Sequence, residues 1–167
     1  SGVVRGTDGA PVQGARVIAE ASDDDVETTT GADGSYRFDR VRTGRYRVRV
    51  VADDYLAAYA PGVKDAADAR RVAVTEQGAA VADVQLAKPV TVSGQLTDTA
   101  GQPLSGWVAL AAADDGGVAF ASAGSDGQFT LSGAWPGRYT ILAEADGYTD
   151  TWLGDADSEA GATWLAL

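Results

Sequence analysis

The 167-residue sequence contains no histidine, no cysteine, no methionine and no asparagine, and its only lysines are Lys64 and Lys88. Each absence removes a branch of chemistry. Without histidine or cysteine there is no Ser-His-Asp or Cys-His machinery, no zinc site of the usual ligand types, no haem anchor and no redox thiol. Carboxylates, hydroxyls and two amines are all that remain for catalysis, so no enzyme activity and no cofactor are expected. Hydrophobic residues never run to the roughly 18 needed for a membrane span, so no membrane insertion is expected. No signal-peptide pattern is visible either. A chain without methionine is expected to be a processed product, an excised fragment or the ordered part of something longer. Positive charge is scarce as well: 13 Lys and Arg stand against 24 Asp and Glu, for a net charge of -11. A nucleic acid would meet repulsion rather than gain affinity from counterion release, and is excluded as a partner on that ground.

What is present is the composition of a globular chain, 45% hydrophobic and 22% charged, and it is written twice. Ser1-Gly2 and Gly9-Ala10-Pro11-Val12-Gln13-Gly14 return as Ser93-Gly94 and Gly101-Gln102-Pro103-Leu104-Ser105-Gly106. Asp33-Gly34-Ser35-Tyr36-Arg37-Phe38 matches Asp126-Gly127-Gln128-Phe129-Thr130-Leu131, and Gly44-Arg45-Tyr46-Arg47-Val48 matches Gly137-Arg138-Tyr139-Thr140-Ile141. Tyr55 and Tyr59 fall on Tyr148 and Trp152, and Val72-Ala73-Val74 on Leu165-Ala166-Leu167. Lys88-Pro89 between the copies reads as a short stiff joint.

Within each copy the period is that of strands. Arg45 to Val50 alternates strictly, placing Tyr46, Val48 and Val50 on one face and three arginines on the other. Asp33-Gly34 and Asp126-Gly127, set between apolar alternations, mark hairpin turns. Phe38, Tyr46, Phe129, Leu131, Tyr139 and Ile141 alternate and are assigned to the core. Helical stripes are lacking, although Lys64 to Arg71 and Asp157 to Gly161 each have room for one turn of helix. The expected fold is all-β: two tandem antiparallel β-sandwiches, transthyretin-like or Ig-like, over residues 1–87 and 88–167.

The ordered set Ser-Gly, Gly-x-Pro-[Val/Leu]-x-Gly, Asp-Gly-x-[Tyr/Phe]-x-[Phe/Leu] and Gly-Arg-Tyr-x-[Val/Ile] resembles the carboxypeptidase regulatory-like domain, a transthyretin-like sandwich, over nearly the whole chain. The segments from Tyr55 to Gly62 and from Tyr148 to Gly154 resemble the extended tail of this domain in secreted actinobacterial proteins. The resemblance implies a non-catalytic extracellular or cell-surface module, found in tandem beside peptidases or glycan-active enzymes or in adhesins. It does not imply carboxypeptidase activity, whose zinc and catalytic residues belong to a separate domain. A related sandwich, the collagen-adhesin B-type domain, is locked by a Lys-to-Asn isopeptide bond, which a chain without asparagine cannot form. Neighbouring domains or subunits of the same assembly are the expected partners, with cell-wall or extracellular glycan beside them.

Three groups of side chains are candidate sites. Ten of the eleven arginines lie in copy one. Of these, Arg45, Arg47 and Arg49, with Arg37 on the preceding strand, offer an anion-binding face unless Glu20, Glu27 and Asp39 balance them. Among the aromatics, Trp135, beside Pro136 at the position of Arg42-Thr43 in copy one, and Trp152 are candidate glycan contacts. The aspartate runs at 23–25, 53–54, 114–115 and 155–157 lack calcium-loop spacing and read as solvated turns, so no metal is expected. Thr97-Asp98-Thr99-Ala100 falls short of a protease Asp-Thr-Gly and reads as a turn. Copy one continues through Ala80-Val81-Ala82-Asp83-Val84-Gln85-Leu86, an alternating final strand. In copy two that strand is expected to be missing or supplied by a neighbour, whether in a longer array or by strand donation within a filament.

Overall fold

The computed structural model describes residues 1–21, 25–76, 80–113 and 116–167, with side chains at all of these except 116–118. The chain divides into two compact units, Ser1–Lys88 and Pro89–Leu167. In the first unit the strands are β1 (Gly2–Gly6), β2 (Arg16–Glu20), β3 (Val26–Thr29), β4 (Ser35–Tyr36), β5 (Gly44–Val51), β6 (Ala58–Tyr59), β7 (Val72–Val74) and β8 (Val84–Leu86). One sheet runs β3-β2-β5-β6 with β7 also on β5, and the other runs β4-β1-β8. The alternation of β5 is realised as read. Tyr46, Val48 and Val50 are buried with Val17 and Ala19 of β2, and they share the core with Val4, Val84 and Leu86 of the other sheet.

In the second unit the strands are β9 (Val90–Gln95), β10 (Gly106–Ala112), β11 (Gly116–Ala123), β12 (Gln128–Ala134), β13 (Arg138–Glu144), β14 (Thr151–Trp152) and β15 (Leu165–Ala166). The larger sheet is β11-β10-β13-β14 with β15 on β13, and the smaller is the pair β12-β9. Val108, Leu110, Leu131, Tyr139 and Ile141 form the centre of its core. Phe38 and Phe129, both assigned to the core, are only half-buried. The helical turn expected at 157–161 appears as a 3-10 turn over Glu159–Gly161, whereas residues 64–71 form only bends and turns.

The repeated turns explain the repeated motif. Gly34 (φ 76°) and Gly127 (φ 72°) lie in the left-handed region, and a Cβ there would meet the Val4 or Leu96 carbonyl oxygen at 2.4 Å. Only glycine accepts both the dihedral and the contact. The preceding aspartates lock the turn. Asp33 Oδ1 accepts the Ser35 amide and hydroxyl at 3.0 and 2.7 Å, and Asp126 Oδ1 accepts the Gln128 amide at 3.0 Å. Asp98 works similarly, accepting the amides of Ala100 and Gln102, so Thr97 to Ala100 is a turn.

One pairing departs from an antiparallel sandwich. β8 lies parallel to β1, in the register Val4 to Val84, Arg5 to Gln85 and Gly6 to Leu86. Its approach is fixed by side chains: Asp83 Oδ1 accepts the Val3 amide at 2.9 Å, and the buried Tyr36 hydroxyl donates to the Ala82 carbonyl. Burial, and then the charge of Asp83, push the Tyr36 phenol up from 10.0 to about 12, with Arg70 opposing. In the unfolded chain the phenol ionises near its ordinary value, so the contribution of Tyr36 is complete below pH 10 and is lost as pH rises toward about 12. Urea midpoints at pH 9 and 11 should fall less in Tyr36→Phe than in the parent chain. Equal falls would show that this phenol is not the linked group.

Candidate functional site

The two units present different chemistry on equivalent sheet faces. In the first, the outward positions of β5 are Arg45, Arg47 and Arg49, as the alternation requires. Acids are interleaved with them. Glu20 lies directly opposite Arg47, and Ile18 sits between Arg49 and Glu27. Arg16 bonds Glu27 at 3.4 Å, and a shallow groove of about 260 Å³ collects Arg45, Arg47 and Arg71 with Glu20 and Asp25. Arg37 does not join this face. It follows β4 in the other sheet and pairs with Asp39 at 3.1 Å, both side chains being highly exposed. The strand it follows, β4, pairs with β1 rather than β5, which the sequence order alone does not reveal.

In the second unit the same outward rows are aromatic and acidic. Trp107 of β10 stands directly opposite Ser122 on β11 and Glu144 on β13. The next row runs Phe120, Ala109, Leu142 and Trp152 across β11, β10, β13 and β14. Rows two residues apart on one face place Trp107 and Phe120 about 7–8 Å from each other on the diagonal. Trp107 is 62% exposed and Phe120 71%, unusual values for such large apolar side chains. A groove of about 400 Å³ beside Trp107 is lined by Ser122, Glu144, Asp146 and Asp150, with no basic side chain.

Trp135 and Trp152 are not one site. Trp135 lies in the turn before β13, where its carbonyl accepts the Tyr139 hydroxyl at 2.6 Å, and its ring is half-buried. Trp152 is paired with Leu142, four residues past Arg138 at the start of β13, about 13 Å along the strand from the end next to the Trp135 turn. The turn that carries Trp135 does not expose it most; among the tryptophans the exposed ring is Trp107, on a strand. Its signal lay in the sequence, since Val108 and Leu110 point inward and Trp107 must therefore point outward. Phe120 lacked such a signal, because Ala119, Ala121 and Ala123, not the phenylalanine, take the inward positions of β11.

Of the aspartate runs, Asp23, Asp24, Asp114 and Asp115 lie outside the described residues. Among the described residues no group of three or more acidic side chains is arranged to hold a metal ion. Asp54 and Asp155 adopt φ of 63° and 57°, which short polar side chains tolerate in turns.

A family model described as the carboxypeptidase regulatory-like domain matches residues 1–87 and again residues 91–164. No curated protein matches the chain. Among solved structures, the chain is similar to the TIE protein of Bacillus anthracis, with 16% identity, a TM-score of 0.44, and coverage of 93% of this chain and 30% of that one. It is also similar to a streptococcal ancillary pilin, with 13% identity, a TM-score of 0.42, and coverage of 93% and 58%. The minor pilin of Streptococcus agalactiae is similar at 15% identity, with a TM-score of 0.38 and coverage of 87% and 78%. The chain thus spans less than two thirds of the first two of these proteins.

Proposed function

Because the chain belongs to the carboxypeptidase regulatory-like domain family through both of its units, we propose that it is a non-catalytic adhesive module of an extracellular or cell-surface protein. It serves as a spacer between neighbouring domains or subunits and makes contact through the outer sheet face of its second unit. The observation that carries this reading is the exposed pair Trp107 and Phe120 on a flat strand face beside a groove of hydroxyl and carboxylate oxygens. Aromatic faces stack on the C–H faces of sugars, and the oxygens accept their hydroxyl protons. Three carboxylates and no basic side chain in the groove favour a neutral glycan over an acidic one.

The arginine face of the first unit supports an anionic ligand less well, since its acids are interleaved with its bases. The absence of histidine and cysteine from the whole sequence supports the non-catalytic part of the reading. Among the described residues no helix is long and apolar enough to cross a membrane.

Retention on immobilised neutral polysaccharides tests the proposal. The parent chain should be retarded, and Trp107→Ala or Phe120→Ala should weaken retention about tenfold, as loss of a central aromatic anchor does. Both substitutions are at exposed positions and should leave the unfolding midpoint nearly unchanged. Equal retention of parent and variants would remove this face from the reading. Loss on an anionic resin, but not a neutral one, when Arg45, Arg47 and Arg49 become glutamine would move the contact to the first unit.

A further inference from the structure

The outer sheet face of the second unit holds more than the exposed pair. Phe120, Ala109, Leu142 and Trp152 stand in register across β11, β10, β13 and β14, so their side chains share one row that runs along the hydrogen-bond direction. Adjacent strands lie about 4.8 Å apart, so three strand spacings put the Phe120 and Trp152 positions about 14 Å from each other. Aromatic rings therefore stand at both ends of an apolar row whose middle is Ala109 and Leu142, both half-buried. The next outward positions on β10 and β13 are Ala111 and Thr140, 8% and 0% exposed, and neither carries a charge.

The first unit shows that the fold does not require such a row. The same register there reads Glu27, Ile18, Arg49 and Tyr59. A sheet face turned to water accommodates charges at these places, and the second unit carries apolar side chains at both. The geometry also sets the size and course of a ligand. One aromatic ring stacks on one sugar, and a second ring about 14 Å away is out of reach of that same sugar. A ligand laid along β13 would meet Arg138 at one end of the strand and Glu144 at the other. The row across the strands carries neither charge, which suits a neutral chain.

We propose that this face takes an extended linear stretch of neutral polysaccharide, laid across the strands from Phe120 over Ala109 and Leu142 to Trp152, with Trp107 beside its Phe120 end. The proposal rests on the glycan reading of the face and adds the class of ligand, a chain several sugars long rather than a single sugar or a disaccharide. Its short end contact is the Trp107 and Phe120 pair, which two adjacent sugars cover. Its far contact is Trp152, which only a longer chain reaches.

Calorimetric titration of the full chain with cellobiose and cellohexaose, and with the dimer and hexamer of N-acetylglucosamine, tests the proposal. In at least one series the hexamer should bind about tenfold tighter than the dimer, because only the hexamer spans Phe120 to Trp152. Trp152→Ala should collapse that difference to less than about threefold, by removing the far contact. Leu142→Arg should collapse it as well, since it sets a charge in the middle of the row. That substitution carries the first unit's own residue, Arg49, to its counterpart position, so the fold persists and the test stands even where Trp152→Ala unfolds. Equal affinity for dimer and hexamer, or a length dependence that survives either substitution, would overturn the proposal and leave the contact at Trp107 and Phe120 standing. Binding of neither length in either series would remove the glycan reading together with it.

Discussion

Leu110→Ala is expected to lower the stability of the second unit by about 3 kcal/mol. Leu110 is 1% exposed and shares its cluster with Val108, Leu131, Tyr139 and Ile141, so truncation leaves a cavity that five strands cannot collapse to fill. The first unit shows what a smaller residue does at this place. Its counterpart is Ala19, and a cleft of about 330 Å³ opens there among Tyr36, Val41, Tyr46 and Val48. Because the tryptophans are confined to the second unit, their fluorescence reads its unfolding alone, and the midpoint in urea should shift strongly. A shift below about 1 kcal/mol would mean that the core repacks around the alanine.

Thr30→Val is the corresponding prediction for the first unit, with an expected loss of about 2–4 kcal/mol. Thr30 is 4% exposed, yet its hydroxyl donates to the Val12 carbonyl at 2.6 Å and accepts the Ala15 amide at 2.8 Å. Valine keeps the shape and removes both bonds, leaving a buried donor and a buried acceptor without partners. The second unit has Ala123 here and dispenses with the device, since Gly106 pairs directly with Ala123 in the ladder. Far-UV circular dichroism should show an earlier transition while tryptophan fluorescence keeps its midpoint. Coincident loss in both signals would show that the units do not unfold separately, and an unchanged dichroism curve would show that water replaces the lost partners.

The local rules of these strands were legible because they depend on neighbours in sequence. The alternation of Arg45 to Val50, the glycines of the Asp-Gly turns and the inward set Leu131, Tyr139 and Ile141 follow from the two-residue period and from the dihedral a tight turn requires. The exposure of Trp107 was available from the same period but was missed, because the candidates were taken from turns, Trp135 above all, and the strand of Val108 and Leu110 was not used. Arg37 was grouped with the β5 arginines because its strand precedes theirs in sequence, but strand order in sequence is not strand order in a sheet. Phe120 escaped the reading because its strand turns three alanines inward, an orientation set by what already fills the core opposite.

The repeat, the all-β class, the turn positions and the uneven charge, -3 over residues 1–87 and -8 over 88–167, are properties of the sequence by itself. They rest on composition and on contacts between residues a few positions apart. Which faces meet was decided only by the tertiary structure. Trp107, Phe120, Leu142 and Trp152 come to one face through pairings between segments up to tens of residues apart. Those pairings depend on which strand each sheet accepts as its neighbour. The two copies share one pattern of local signals and differ in surface chemistry at the positions where long-range pairing brings different side chains together.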